Sequence, residues 1–129
     1  MLKTQLLEKA INRAFEKLCD YFEQELTRQI EEEKWEWPNE TLRETGELAG
    51  TIRNIIDSGD LRDSLKTFIL SPTHRNFIYN SEYADLVHNG GVVETGSGKK
   101  NYPARSWITT AVDEGDLREK FAEFLEKEL

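Results

Sequence analysis

Ile55-Ile56-Asp57-Ser58-Gly59-Asp60-Leu61-Arg62-Asp63-Ser64-Leu65 joins an apolar pair, a turn and one amphipathic helical turn in a single short stretch. It has to redirect the chain while both of its ends stay attached to a core. Gly59 supplies the backbone freedom of the turn. Ser58 or Asp57 is placed to cap the first amides of the turn over Asp60 to Leu65. Leu61 and Leu65, four apart, fall on one helical face, with Arg62 and Asp63 pointing elsewhere. Nothing in the stretch is a reaction centre.

Upstream, residues 3 to 33 read as one long amphipathic helix. Leu6, Ala10, Ala14, Leu18, Phe22 and Leu26 recur every four residues, flanked by Leu7, Ile11, Phe15 and Tyr21. At 1.5 Å per residue such a helix is about 45 Å long, more than a domain of this size covers, so part of its stripe is expected to meet another subunit. Glu31-Glu32-Glu33 sits at the negative end of the helix dipole and predicts fraying there. Trp35 and Trp37 alternate in an extended segment before Pro38, and they are expected to cover the core or lie under the long helix. Residues 39 to 54 are polar, contain Gly46 and Gly50, and read as a long loop ordered by a partner or mobile.

Downstream, Lys66 to Leu70 and Asn76 to Asn80 predict a hairpin closed by the longer loop Ser71 to Arg75. Ser81 then starts a short helix over 81 to 88, with Tyr83 and Val87 four apart and Gly90-Gly91 ending it. Val92 to Glu94 and Asn101-Tyr102 read as strand stubs around a flexible basic tip, Gly96-Ser97-Gly98-Lys99-Lys100. That tip lacks the spacing of a phosphate loop and leads into no helix. Helical pattern resumes at Trp107, Ile108, Ala111 and Val112, breaks at Gly115, and ends in a terminal helix with Leu117, Phe121, Phe124 and Leu125 on its apolar face.

The chain has 129 residues, which is one domain and one core: the helix at 3–33, the loop at 39–54, a sheet region at 55–102 and a C-terminal helical region at 106–128. A net charge of −8 argues against a sequence-independent grip on nucleic acid, which needs Lys and Arg against phosphates. Residues 113 to 129 hold seven acids against three bases, a solvated helix face. The single cysteine, Cys19, excludes an internal disulfide and fits a reducing cytoplasm. No apolar run resembles a signal peptide or approaches the ~20 residues of a membrane span.

No catalytic constellation stands out. His74 lies in the expected hairpin loop with no acid nearby, and His88 sits at a helix end where it can meet the last carbonyls. Two His and one Cys at unrelated positions give no metal-ligand spacing, and no cofactor site is expected. Ser64, His88 and Asp85 can be written as a triad, but nothing marks Ser64 as an activated nucleophile.

Three motifs in order carry a resemblance: Asp57 to Leu65, then Tyr83-Ala84-Asp85-Leu86-Val87-His88-Asn89-Gly90, then Pro103-Ala104-Arg105-Ser106-Trp107. Together they resemble the tail-completion or head-tail connector (neck) proteins of tailed phages and prophages. Asn89 stands where an acidic residue is common in that family. The resemblance implies an α+β domain with a long N-terminal helix, a small antiparallel sheet carrying a short inserted helix, and a C-terminal helix. It also implies a non-enzymatic virion protein, made in the host cytoplasm, that forms a ring by head-to-tail contacts. Its partners would be further copies of itself and neighbouring head-completion or tail-tube proteins, with DNA passing through a lumen whose acidity avoids gripping it. At matching positions Asp57, Gly59, Leu61, Arg62 and Ser64 would shape the turn, Tyr83, Val87 and His88 would fix the short helix, and Arg105 and Trp107 would anchor the last helix to the sheet. Arg62 and Arg105 would bond acids such as Asp57 and Asp60, or a neighbouring subunit.

Two readings from other classes stand beside it. One is a cytoplasmic regulatory or toxin-antitoxin-type binding protein that dimerises through the long helix and touches a partner with Lys99-Lys100. The other is a small hydrolase using His88.

Overall fold

Helix α1 spans Leu2–Glu31 and is the element against which the others are laid. It ends at the start of the Glu31-Glu32-Glu33 run, as the dipole argument requires. The computed structural model describes residues 2–37, 41–43, 46–56, 59–96 and 98–129. Among these, α1 is followed by short strands β1 (Trp35–Glu36), β2 (Thr41–Leu42), β3 (Leu48–Ala49) and β4 (Ile52–Arg53). Helix α2 (Asp60–Asp63) leads into the hairpin β5 (Leu65–Ser71) and β6 (His74–Tyr79). Helix α3 (Ala84–Asn89), the hairpin β7 (Gly91–Thr95) and β8 (Gly98–Tyr102), and helices α4 (Trp107–Glu114) and α5 (Leu117–Glu128) complete the order.

The α+β class therefore holds: a long N-terminal helix, antiparallel sheet and a C-terminal helix. The sheet component is divided into four two-stranded antiparallel ladders, β1–β4, β2–β3, β5–β6 and β7–β8. Ladders of this size are marginal alone and need packing against something else.

What the β5–β6 ladder packs against is α1 and α4. Alternate residues of β6 turn inward: Phe77 meets Phe22 edge to face at 5.3 Å, Tyr79 meets Trp107 at 5.2 Å, and Arg75 pairs with Asp20 at 3.5 Å. Leu26, Ile30, Ile55, Trp107 and Ala111 form the buried centre of this contact. Helix α5 returns along α1, with Tyr21 donating to the Gly115 carbonyl at 2.9 Å and Glu128 pairing with Lys17 at 2.6 Å. Within α4, Glu114 accepts from the buried amide of Gln29 at 2.7 Å. That hydrogen bond, with Lys34 beside it, holds the Glu114 carboxyl below the usual range.

Four expectations are corrected. Residues 39 to 54 are not one long loop: among the described residues β1 pairs with β4 and β2 with β3, and β3 and β4 are joined by Gly50-Thr51 alone. Two-residue strands are too short to show a period-2 pattern, so the segment reads as polar loop. The first hairpin closes on Pro72-Thr73 alone, because β5 runs to Ser71 and β6 starts at His74, with a register shift between Ile69 and Ser71 absorbing the difference. Lys99 and Lys100 belong to β8, not to a tip; Lys99 lies opposite Glu94, a cross-strand pair of opposite charge. The short helix also starts later than Ser81, which instead accepts the Tyr83 amide through its hydroxyl at 3.2 Å in the preceding turn.

Candidate assembly site

The turn that opens the first motif is built on Gly59, which is buried and has φ of 92°. That conformation is ordinary only for glycine. Its carbonyl accepts the Asp63 amide at 3.0 Å, and Ser64 closes the helical turn by donating its hydroxyl to the Leu61 carbonyl at 2.7 Å. The Ser64 carbonyl then takes the Asn80 amide at 3.1 Å, which ties the end of α2 to the end of β6. Leu61 packs on the core cluster. Upstream, the Ile55 amide donates to the Ile30 carbonyl at 2.8 Å, so the stretch is fastened to the last turn of α1 before it bends. Asp57 and the cap expected from Ser58 or Asp57 lie outside the described residues.

Arg62 pairs with Asp63 at 3.0 Å and Glu31 at 3.8 Å, while Asp57, one of the acids expected for it, lies outside the described residues. The hydrogen bond to Asp63 raises the guanidinium pKa.

The second and third motifs are joined to each other directly. The Arg105 amide donates to the Val87 carbonyl at 2.9 Å, and the Ser106 hydroxyl donates to the His88 carbonyl at 3.0 Å. The His88 ring stands edge-on to Trp107 at 5.1 Å, and its Nδ1 is 2.9 Å from the Asn89 side-chain oxygen. Trp107 is fully buried between α3 and β6 and so anchors α4 to the hairpin. The Tyr79 hydroxyl, His88 Nε2 and Trp107 Nε1 are enclosed together, and none makes a well-directed hydrogen bond among the described residues. Burial pushes the Tyr79 hydroxyl up to about 12. Tyr83 departs from expectation: its side chain is exposed, and what it gives the short helix is its carbonyl, which accepts the Val87 amide at 3.0 Å.

All three motifs border one groove of about 540 Å³, where Gly59 and Leu61, Tyr83 and Val87, and Arg105 face one another. Trp37 lies on the opposite stretch of its lining, with Thr41, Arg53 and Tyr102. The guanidinium groups of Arg53 and Arg105 lie over its ring at 5.0 and 4.6 Å, and Tyr102 meets it edge-on at 5.8 Å. Arg53 is buried and donates to the Gly50 and Ala49 carbonyls and the Thr41 hydroxyl, at 2.7, 3.1 and 2.8 Å. Sequence reading missed this residue. A single arginine in a polar segment gives no sign of burial, and only the Ile52-Arg53 alternation hints at it.

The triad that can be written on paper is not assembled. The Ser64 hydroxyl serves Leu61, Asp85 accepts from Asn89 at 2.6 Å, and His88 lies against Trp107. No group of three or more His, Cys, Asp or Glu capable of holding a metal occurs among the described residues. Among these residues no helix is long and apolar enough to cross a membrane. Comparison with protein-family models, with curated proteins and with solved structures finds no match in any of the three.

Proposed function

We propose that the chain is a non-enzymatic structural subunit of a tailed phage or prophage, one copy of a ring that joins head to tail or completes the tail. The observation that carries the proposal is surface. A compact monomer of 15.0 kDa exposes about 7,000 Å², whereas this chain exposes 8910 Å². The excess, about 1,900 Å², reflects an extended subunit with surface open to contacts outside itself. Leu2, Leu6, Leu48, Ile52, Ile69 and Leu70 are among the large apolar side chains it exposes. The residues of the three motifs are spent on turns, backbone bonds and core contacts, as suits a part whose task is shape. Its partners on this reading are copies of itself and neighbouring head-completion or tail-tube proteins, and its place is the virion.

Deleting the gene from the phage or prophage that carries it tests this directly. The expected result is DNA-filled heads and tails that fail to join, or tails that fail to complete, restored by supplying the chain in trans. Normal virions from the deletion would end the proposal, and a stable two-copy species with altered host gene expression would favour the regulatory reading.

A further inference from the structure

We infer that the basic, apolar groove at the start of α1 receives the acidic, apolar bend between β3 and β4 of a second copy, head to tail. The inference rests on the proposed ring and assigns its contact. The groove, about 450 Å³, is walled by Leu6, Leu7, Ala10 and Leu129 and rimmed by Lys3, Lys9 and Arg13, with Glu128 as the acid of its lining; Glu128 pairs with Arg13 and Lys17, which leaves Lys3 and Lys9 as the bases that face outward. In a chain of net charge −8 this is an unusual spot: residues 2 to 13 hold three bases and one acid, Glu8.

The complementary surface lies past the far end of α1. Along β3 and β4 the buried positions are Ala49 and Arg53, which turns Leu48 and Ile52 outward on either side of the bend. Glu47 precedes Leu48, and Glu36 lies directly opposite Ile52, both exposed. Lys3, Lys9, Glu36 and Glu47 form no ion pair among the described residues. Among the described residues each of β3 and β4 has one partner strand.

Geometry makes the contact intermolecular. From Arg13, the last helix residue of the groove, α1 runs on to Glu31 before the strands begin, about 27 Å at 1.5 Å per residue, so one molecule cannot join the two surfaces. A contact between different patches on identical subunits builds a ring where the rotation closes. Another apolar face, Phe68, Leu70 and Ile78 on β5–β6, is accompanied by Lys66 and His74 and offers the basic groove no opposite charge.

Sedimentation velocity of the full chain over a concentration series at low and high salt tests the pairing. The double variants are Lys3→Glu with Lys9→Glu, and Glu36→Lys with Glu47→Lys, followed by all four together; circular dichroism checks that each is folded. The wild type is expected to associate and to weaken with salt. Either reversal should weaken association about tenfold or more, and the fourfold variant should recover it. A wild type that stays monomeric up to its solubility limit overturns the inference, as does a fourfold variant that fails to recover. Rings that persist unchanged in both double variants reject these surfaces and leave the ring standing. Association that responds to the swaps yet stops at two copies keeps the contact and rejects the ring.

Discussion

At the C-terminal end of α1, Leu26 and Ile30 are 1% and 0% exposed beneath Trp107 and Ile55, while at its start Leu2, Leu6 and Leu7 are 70%, 57% and 46% exposed. Both ends share one helix and one apolar periodicity. What separates them is coverage: α4 and the β5–β6 hairpin reach the first, whereas α5 reaches only as far as the Glu128 contact with Lys17 and Arg13. Full burial of a leucine is worth about 1.5–3 kcal/mol, so the start of α1 leaves much of that gain to a contact outside the subunit. A helical stripe thus reports what can be buried, and the length of its neighbours decides what is.

The covered end can be broken hardest at Trp107. Truncating Trp107→Ala removes the residue shared by α4, β6 and α3, and should cost about 3–5 kcal/mol, measured by urea unfolding. A loss below 1 kcal/mol would show that the covered end owes little to this contact.

The two glycine turns next to that core can be ranked against each other. At Gly90, φ is 72° and an added Cβ would lie 2.7 Å from the Ala104 amide nitrogen and 2.8 Å from the Tyr102 carbonyl oxygen, both backbone atoms that cannot swing aside. At Gly59 the nearest atom, at 3.1 Å, is the end of the flexible Arg62 side chain. Gly90→Ala should therefore cost about 2–4 kcal/mol, from the strained backbone conformation and the clash together. Gly59→Ala, with strain but room to relax, should cost about 1 kcal/mol. Thermal melts of the two variants compare them, and equal losses would remove the distinction.

Much of this was open to reading from residues alone. The reach and end of α1, the break at Gly115, the two hairpins and the turn at Gly59 all follow from periodicity, charge and glycine placement. The ladders inside 39–54 did not, because two-residue strands leave no pattern and Arg53 is held by carbonyls whose approach depends on the fold. The stacking of Arg105 and Arg53 on Trp37 was equally hidden, since it joins residues far apart in sequence. Tyr83 misled for the opposite reason: an aromatic four residues from Val87 suggests packing, yet its side chain stays in solvent.

A subtler test of the covered end uses pH. Burial raises the Tyr79 hydroxyl from its ordinary value of 10 to about 12. Below pH 10 it is protonated in both states and has no pH-dependent effect. Between 10 and 12 the unfolded chain ionises first and binds fewer protons, so stability falls as pH rises through that window. Because Tyr79 is only half-buried, solvent screening reduces the loss to about 1–2 kcal/mol. Tyr79→Phe should remove this component, and below pH 10 it should be neutral or slightly stabilising, since the hydroxyl it deletes is buried without a well-directed hydrogen bond. Parallel alkaline unfolding curves for the two proteins would contradict this.

The smallest expected effect on the folded subunit belongs to the uncovered end, and it sharpens the comparison most. Leu6 belongs to the same stripe as Leu26 and would be expected from periodicity alone to matter as much. Exposed as it is, Leu6→Ser should change unfolding free energy by no more than about 0.5 kcal/mol, while Leu26→Ala costs about 2–5 kcal/mol. Association should respond in the reverse order: Leu6→Ser removes an apolar wall of the groove and should suppress self-assembly of a subunit that remains fully folded. Urea unfolding and sedimentation on the same sample measure both quantities. A destabilisation near that of Leu26→Ala would mean that the start of α1 is covered within the subunit after all; an unchanged Leu6→Ser on both counts would leave its exposed leucines without a role in assembly.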